Sequence, residues 1–95
     1  MPTYRSQERI IADVLSSANH NMVDENGVGI THLLSKANLS YSRLSNILRR
    51  LVSQGLLEEI DVGKAQRYRI SDRGHKFLRA YGEFEEFAES FGFQL

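Results

Sequence analysis

The run Asn38-Leu-Ser-Tyr-Ser-Arg-Leu-Ser-Asn-Ile-Leu-Arg-Arg-Leu-Val-Ser-Gln-Gly55 decides how the rest of this chain is read. Leu44, Ile47, Leu48, Leu51 and Val52 recur at i, i+3, i+4, i+7 and i+8, the spacing that lays one apolar stripe along a helix. Ser40 stands where a hydroxyl can accept from an orphan N–H of the first turn. Gly55 stands where a left-handed residue ends a helix. The opposite face carries Ser42, Ser45, Asn46, Arg49, Arg50 and Ser53, with Arg43 on its flank. It holds three arginines among short polar side chains and no acid. A helix face that needed only solubility would mix in glutamate, so this pattern predicts a helix that packs on a core and offers its basic face to nucleic acid.

Working toward the N-terminus, Thr31 is the expected cap of a short preceding helix that ends near Ala37, with Leu33, Leu34 and Ala37 inward. Asn38-Leu39 is then a tight turn, and two helices so joined, the second longer and basic, read as a helix-turn-helix. Leu39 is expected to plug the core between them. Upstream, Ile10, Ile11, Val14, Leu15 and Ala18 predict a first helix from about Arg5 to Ala18. His20 to Gly29 is rich in turn formers, with room for one edge pairing at Val28–Ile30.

Working toward the C-terminus, the period changes from helical to alternating. Leu56–Asp61 and Gln66–Ile70 predict two strands around a hairpin tip at Val62–Ala65, with Tyr68 and Ile70 inward and Arg67 and Arg69 outward. Ser71 and Asp72 open a last helix running to about Ser90, and Gly74 near its start is expected where packing is close. Phe77, Tyr81, Phe84, Ala88 and Phe91 repeat at four, three, four and three, a heptad-like seam that Leu78 and Phe87 widen. A stripe extending so far past the last core element predicts a second copy of the chain across the seam.

Ninety-five residues with ordinary apolar and charged content make one small domain. The formal charge is zero, but it is unevenly placed: residues 30–82 carry +6, against −2 before them and −4 after. A basic centre with an acidic tail is an electrostatic footprint that a neutral sum conceals. There is no cysteine, hence no disulfide or thiolate chemistry, and no targeting or spanning segment is recognisable, which reads as cytoplasmic. His20, His32 and His75 have no metal-ligand spacing, so no metal is expected. Glu58, Glu59 and Asp61 alternate faces of a strand rather than forming a facing carboxylate pair. No phosphate-cradling glycine loop or nucleophile elbow occurs, so neither enzyme chemistry nor a cofactor nor a small-molecule ligand is inferred. Glu83, Glu85, Glu86 and Glu89 between the terminal aromatics would repel anionic lipid, which argues against a membrane helix.

The order of elements is that of a winged helix, and particular residues carry the likeness further. Gly29-Ile30-Thr31-x-Leu33-Leu34-x-Lys36-Ala37-Asn38-Leu39-Ser40-Tyr41-x-Arg43-Leu44, then Leu48-x-x-Leu51-x-x-x-Gly55-Leu56, Tyr68-x-Ile70-Ser71-x-x-Gly74, Phe77-Leu78 and Tyr81 resemble archaeal winged-helix proteins regarded as transcriptional regulators. The likeness covers about residues 5–82, and its most specific part is the Ala-Asn-Leu-Ser-Tyr turn. It implies DNA binding through the second helix of the turn motif and through the wing, with dimerisation by a C-terminal coiled coil. The terminal helix departs from that pattern: it looks shorter and is built on Phe and Tyr with Glu between, not on a long leucine heptad.

The expected molecule is therefore α+β and mainly α: a winged helix-turn-helix over residues 1–75, with a two-stranded β wing, and a C-terminal dimerisation helix over 76–95. Candidate contacts to double-stranded DNA are Tyr41, Ser42, Arg43, Ser45, Asn46, Arg49 and Arg50 on the helix and Lys64, Arg67 and Arg69 on the wing, with Arg73 close enough to join the wing. Candidate dimer contacts are Phe77, Tyr81, Phe84, Phe87, Ala88 and Phe91. The alternative is a winged-helix adaptor that binds protein and not DNA, since fold does not fix function.

Overall fold

The computed structural model describes residues 6–20, 27–63 and 65–93. In chain order it contains α1 (Gln7–His20), β1 (Val28–Gly29), α2 (Ile30–Ala37), α3 (Tyr41–Ser53), β2 (Leu57–Val62), β3 (Ala65–Ile70) and α4 (Asp72–Ser90). The core sits where the apolar stripes of α1, α2 and α3 converge on the inner face of the sheet. Val14, Leu15, Leu33, Leu44, Leu48, Leu51 and Leu57 are fully buried there, with Tyr68 and Ile70 closing it from β3. Full burial of a leucine is worth about 1.5–3 kcal/mol, so these side chains fix how the helices meet. Leu39 packs against the core from the turn, as its position predicts.

α3 is fastened at both ends by local chemistry. Ser40 is its N-cap, and the Arg43 amide donates to Ser40 Oγ at 3.3 Å. At the other end Gly55 adopts φ +78°, the Leu56 amide donates to the Leu51 carbonyl at 2.9 Å, and the Gly55 amide donates to Val52 at 3.0 Å. These are the two bonds of a Schellman motif, which stops the helix and turns the chain into β2.

Several local expectations are corrected. Thr31 does not cap α2: the N-cap is Gly29, with extended backbone (φ −77°, ψ 158°) and no side-chain bond, and Thr31 is an exposed residue of the first turn. The reason is that Gly29 is also the last residue of β1, so the chain passes from strand to helix without a linker. α1 continues past Ala18 to His20, where His20 Nδ1 donates to the Ser16 carbonyl at 2.8 Å; its expected start at Arg5 lies outside the described residues. The hairpin closes more tightly than expected, because Val62 and Ala65 are themselves a pair of the β2–β3 ladder.

The hairpin is also not a free two-stranded ribbon. β1 pairs antiparallel with β3 (Val28 with Tyr68, Gly29 with Arg67), so the sheet has the order β1-β3-β2 and β3 lies at its centre. That pairing ties the distal chain back to the segment leading into α2.

α4 starts against the core at a point of close approach. Ser71 Oγ accepts from the Gly74 amide at 3.0 Å and donates to the Gly55 carbonyl at 2.6 Å, which joins the end of α3 to the start of α4. A β-carbon at Gly74 would stand 2.3 Å from the Leu56 carbonyl oxygen and 2.6 Å from Ile70 Cγ1. Further along, Arg9 of α1 reaches Glu85 of α4 at 2.6 Å and Asp13 at 3.3 Å. Partly exposed pairs of this kind are worth at most about 1 kcal/mol, so they orient α4 along α1 more than they stabilise it. Phe77 and Leu78 pack on the core, and α4 crosses residues 75 and 76 as one unbroken helix.

Among the described residues no helix is long and apolar enough to cross a membrane.

Candidate nucleic-acid interface

The buried stripe of α3 leaves its other side to solvent. Ser42, Arg43, Asn46, Arg49, Arg50 and Ser53 are exposed, Ser45 is half-buried, and the Tyr41 side chain is 60% exposed although aromatic. The helix carries no acidic residue. These residues form two flanks around an outward line. Tyr41, Ser45 and Arg49 lie toward the hairpin, Arg43, Asn46, Ile47 and Arg50 lie toward α1, and Ser42 and Ser53 lie between. The Arg43 and Arg49 side chains make no hydrogen bond or ion pair with the described residues, so both guanidiniums are available to an incoming anion.

Arg50 is held rather than loose. With the Gln7 amide oriented by its hydrogen bonding, the Gln7 side-chain oxygen accepts from Arg50 Nη1 at 2.7 Å and from Nη2 at 2.9 Å. Arg73 lies at the same end of α3, where Nη1 donates to the Gln54 carbonyl at 3.2 Å. A cation there favours the negative end of the helix dipole. Arg73 thus joins the C-terminus of α3 and not the hairpin, as its sequence position had suggested.

The hairpin differs more from expectation. Glu58 stands opposite Arg69 in the β2–β3 register, and the two form an ion pair at 3.3 Å. Arg67 is half-buried: Nη2 donates to the Gly27 carbonyl at 2.8 Å, and its buried Nε has no acceptor among the described residues. Both arginines therefore brace the sheet. Arg67 is turned inward to the segment before β1 rather than fully outward, because β1 covers the edge that a two-stranded ribbon would leave open. Lys64, the expected tip contact, lies outside the described residues.

The same register corrects the expectation that Glu58, Glu59 and Asp61 alternate faces: Glu59 and Asp61, two residues apart, share the hairpin's inner side and make it acidic. Glu59 is opposite Tyr68 and Asp61 opposite Gln66, and cross-strand partners share a face. Tyr41, Ser45, Asp61, Gln66 and Tyr68 line a cleft of about 420 Å³ between α3 and the hairpin. Burial raises the Tyr68 hydroxyl above its ordinary pKa, with Glu59 and Tyr41 adding to the rise and Arg49 opposing it. Tyr68 therefore stays neutral through and beyond physiological pH.

On α4 the aromatic seam splits into two stripes. Phe77 and Tyr81 are half-buried with nearly parallel rings 6.3 Å apart, and Ala88 is buried, all on the side turned to this chain's own body. Phe84, Phe87 and Phe91 are 56–65% exposed on the neighbouring arc, and Phe93 beyond the helix is equally exposed. Phe87 and Phe91 touch at 5.0 Å between ring centres. Phe77, Tyr81 and Ala88 are thus committed within the chain, because α1 docks beside α4 and takes that arc. Neither Gln7, whose role depends on a partner more than forty positions away, nor Phe93 could be singled out by helical spacing.

Solved structures with this arrangement come from several sources. The chain is similar to Sso10a-2, a DNA-binding protein from Sulfolobus solfataricus, with 24% identity and a TM-score of 0.76 over 92% of this chain and 85% of that one. It is similar to AF1382 from Archaeoglobus fulgidus at 19% identity and a TM-score of 0.70, covering 88% and 91% of the two chains. The type III plasmid segregation protein TubR matches at 19% identity and a TM-score of 0.58, covering 87% and 92%. At these identities the likeness establishes the fold. No curated protein sequence matches the chain. The family model for winged helix-turn-helix domains matches residues 4–89, and with α2 and α3 as the turn motif and β2–β3 as the wing, this chain belongs to the winged helix-turn-helix family.

Proposed function

We propose that the protein is a dimeric double-stranded-DNA-binding protein acting as a transcriptional regulator, with α3 in the major groove and the wing along the flanking backbone or minor groove. The observation that carries this reading is the acid-free exposed face of α3, held rigid by its buried leucines and by caps at both ends. Arg43 and Arg49 supply free guanidiniums to phosphate oxygens or guanine edges, while Tyr41, Ser42, Ser45 and Asn46 supply short hydrogen-bonding groups at the same surface. Arg50 joins them from the α1 side. Arg67 and Arg69 position the wing through Gly27 and Glu58, and Lys64 is its expected contact to the duplex.

Binding to a random-sequence duplex, followed by fluorescence anisotropy across a salt series, tests the reading. If about six to eight cations per dimer meet phosphates, log K falls with log salt at a slope of about −5 to −7. Affinity independent of salt contradicts it.

The two copies meet through Phe84, Phe87 and Phe91, the aromatic arc that α1 leaves uncovered, with Phe93 extending it. Phe77, Tyr81 and Ala88 set the direction of that arc from beneath. Light scattering on Phe84→Glu/Phe87→Glu reads this directly: the expected result is a monomer at micromolar concentration with unchanged helix content, against a dimer for the parent. A parent that is itself monomeric refutes the dimer.

An adaptor that binds protein alone is favoured by the exposed phenylalanines and by Glu59 and Asp61 on the wing's inner side. Such an adaptor has no use for an acid-free arginine face, and it passes through a heparin column at moderate salt.

A further inference from the structure

The side of α3 that turns toward α1 does more than complete a basic face. Arg43, Asn46, Ile47, Arg50 and Gln54 follow at helical spacing along it, and Gln7, Ile10 and Ile11 of α1 face them. Between the two helices lies a groove of about 360 Å³. That volume is in the range of small-molecule sites, which pair an apolar lining with a few placed polar groups. Here the apolar part is Ile10, Ile11, Ile47 and Leu51, and the polar part is two guanidiniums and three side-chain amides. Among the described residues no carboxylate lines it.

We propose that this groove binds an amphipathic carboxylate, an apolar body ending in one anionic head, and that its occupant competes with DNA for Arg43 and Arg50. The competition rests on the DNA reading given above; the binding does not.

The decisive feature is the fork of Arg50. One oxygen, that of the Gln7 amide, accepts from both Nη1 and Nη2 at 2.7 and 2.9 Å. That oxygen stands where an oxygen of a bound carboxylate would stand. A charged acceptor makes hydrogen bonds roughly twice as strong as a neutral one, so a carboxylate displaces the Gln7 amide, which returns to water from an exposed first turn at little cost. Arg43, without a partner among the described residues, closes on the same head from two turns earlier in α3. The tail then covers Ile11 and Ile47, both only partly buried. An alcohol of the same shape covers the isoleucines but offers the two guanidiniums only a neutral hydroxyl oxygen, whose hydrogen bonds are about half as strong as a carboxylate's. The site therefore selects the anion over its alcohol.

Because the head group holds two arginines that phosphates also require, ligand and DNA weaken each other by the same factor. The test uses the full chain and two probes, octanoate and octanol, without DNA at first. In ¹H–¹⁵N spectra, octanoate is expected to give saturable shifts at the amides of Gln7, Ile10, Ile11, Arg43, Ile47 and Arg50. Octanol is expected to bind about tenfold more weakly, and Arg50→Gln to remove the difference while leaving the fold's spectrum intact. Shifts that do not saturate, that gather at Phe84–Phe93, or that are equal for the two probes overturn the site. Anisotropy with a labelled duplex then reads the competition: saturating octanoate, and not octanol, is expected to raise the DNA Kd about tenfold. An unchanged Kd with octanoate seated in the groove overturns the competition. A protein that takes octanoate in the groove but binds no duplex at any salt upholds the site and overturns the DNA reading instead.

Discussion

Arg49→Glu/Arg50→Glu is expected to lower affinity for any duplex by at least about a hundredfold at moderate salt, because two phosphate-neutralising charges become two repelling ones. Both side chains are exposed and neither enters the core. The reversal removes the Gln7–Arg50 bond, a surface contact whose loss costs about 0.5 kcal/mol. Circular dichroism and the thermal midpoint should therefore stay near the parent's. The charge-matched control is Lys76→Glu/Arg79→Glu on α4, which makes the same change in net charge on another helix. It should bind within about threefold of the parent at the same salt. Equal losses in the two variants would mean that the field of the whole chain, and not the face of α3, attracts DNA.

The second large effect is on stability. Gly74→Ala puts a β-carbon 2.3 Å from a backbone carbonyl oxygen and 2.6 Å from the Ile70 side chain. The carbonyl of Leu56 cannot yield cheaply, since it accepts from the Ser71 amide at 3.2 Å where α3, β2 and α4 converge. Moving α4 outward would strain the Ser71 bonds to Gly55 and Gly74 together. An alanine in the first turn of a free helix would stabilise it. Here overpacking outweighs propensity, and the expected loss is about 3 kcal/mol by urea denaturation. Gly82, on the same helix with open space around its α-carbon, provides the contrast: Gly82→Ala should stabilise by about 0.5–1 kcal/mol. Equal stabilities for the two variants would show that α4 does not sit as closely on the Leu56 turn as described.

What could be read without the structure was whatever local chemistry decides. The stripe, cap and stop of α3 involve residues within a few positions of one another, and all appear in place. The same holds for Ser71 at the start of α4 and for the inward turn of Tyr68 and Ile70. The misses share a different cause. The edge pairing allowed for at Val28–Ile30 does form, but that its partner is β3, forty positions away, could not be read locally. Arg67 reads as an outward wing cation until that pairing brings Gly27 to its guanidinium. The heptad of α4 could not say which aromatic residues stay exposed, because the two arcs have the same spacing. Only the docking of α1, marked by Arg9 and Glu85, assigns Phe77, Tyr81 and Ala88 to one arc and leaves Phe84, Phe87 and Phe91 on the other. In each case an element read as free is claimed by another part of the chain.

The claim at the centre of this account is that α3 is the surface that meets DNA. Titrating a duplex into ¹⁵N-labelled protein and following amide shifts tests it most directly. The account predicts the largest changes across residues 40–55, with smaller ones along the wing and little at residues 80–93. Changes confined to the terminal aromatic arc, or none at low salt, would contradict it.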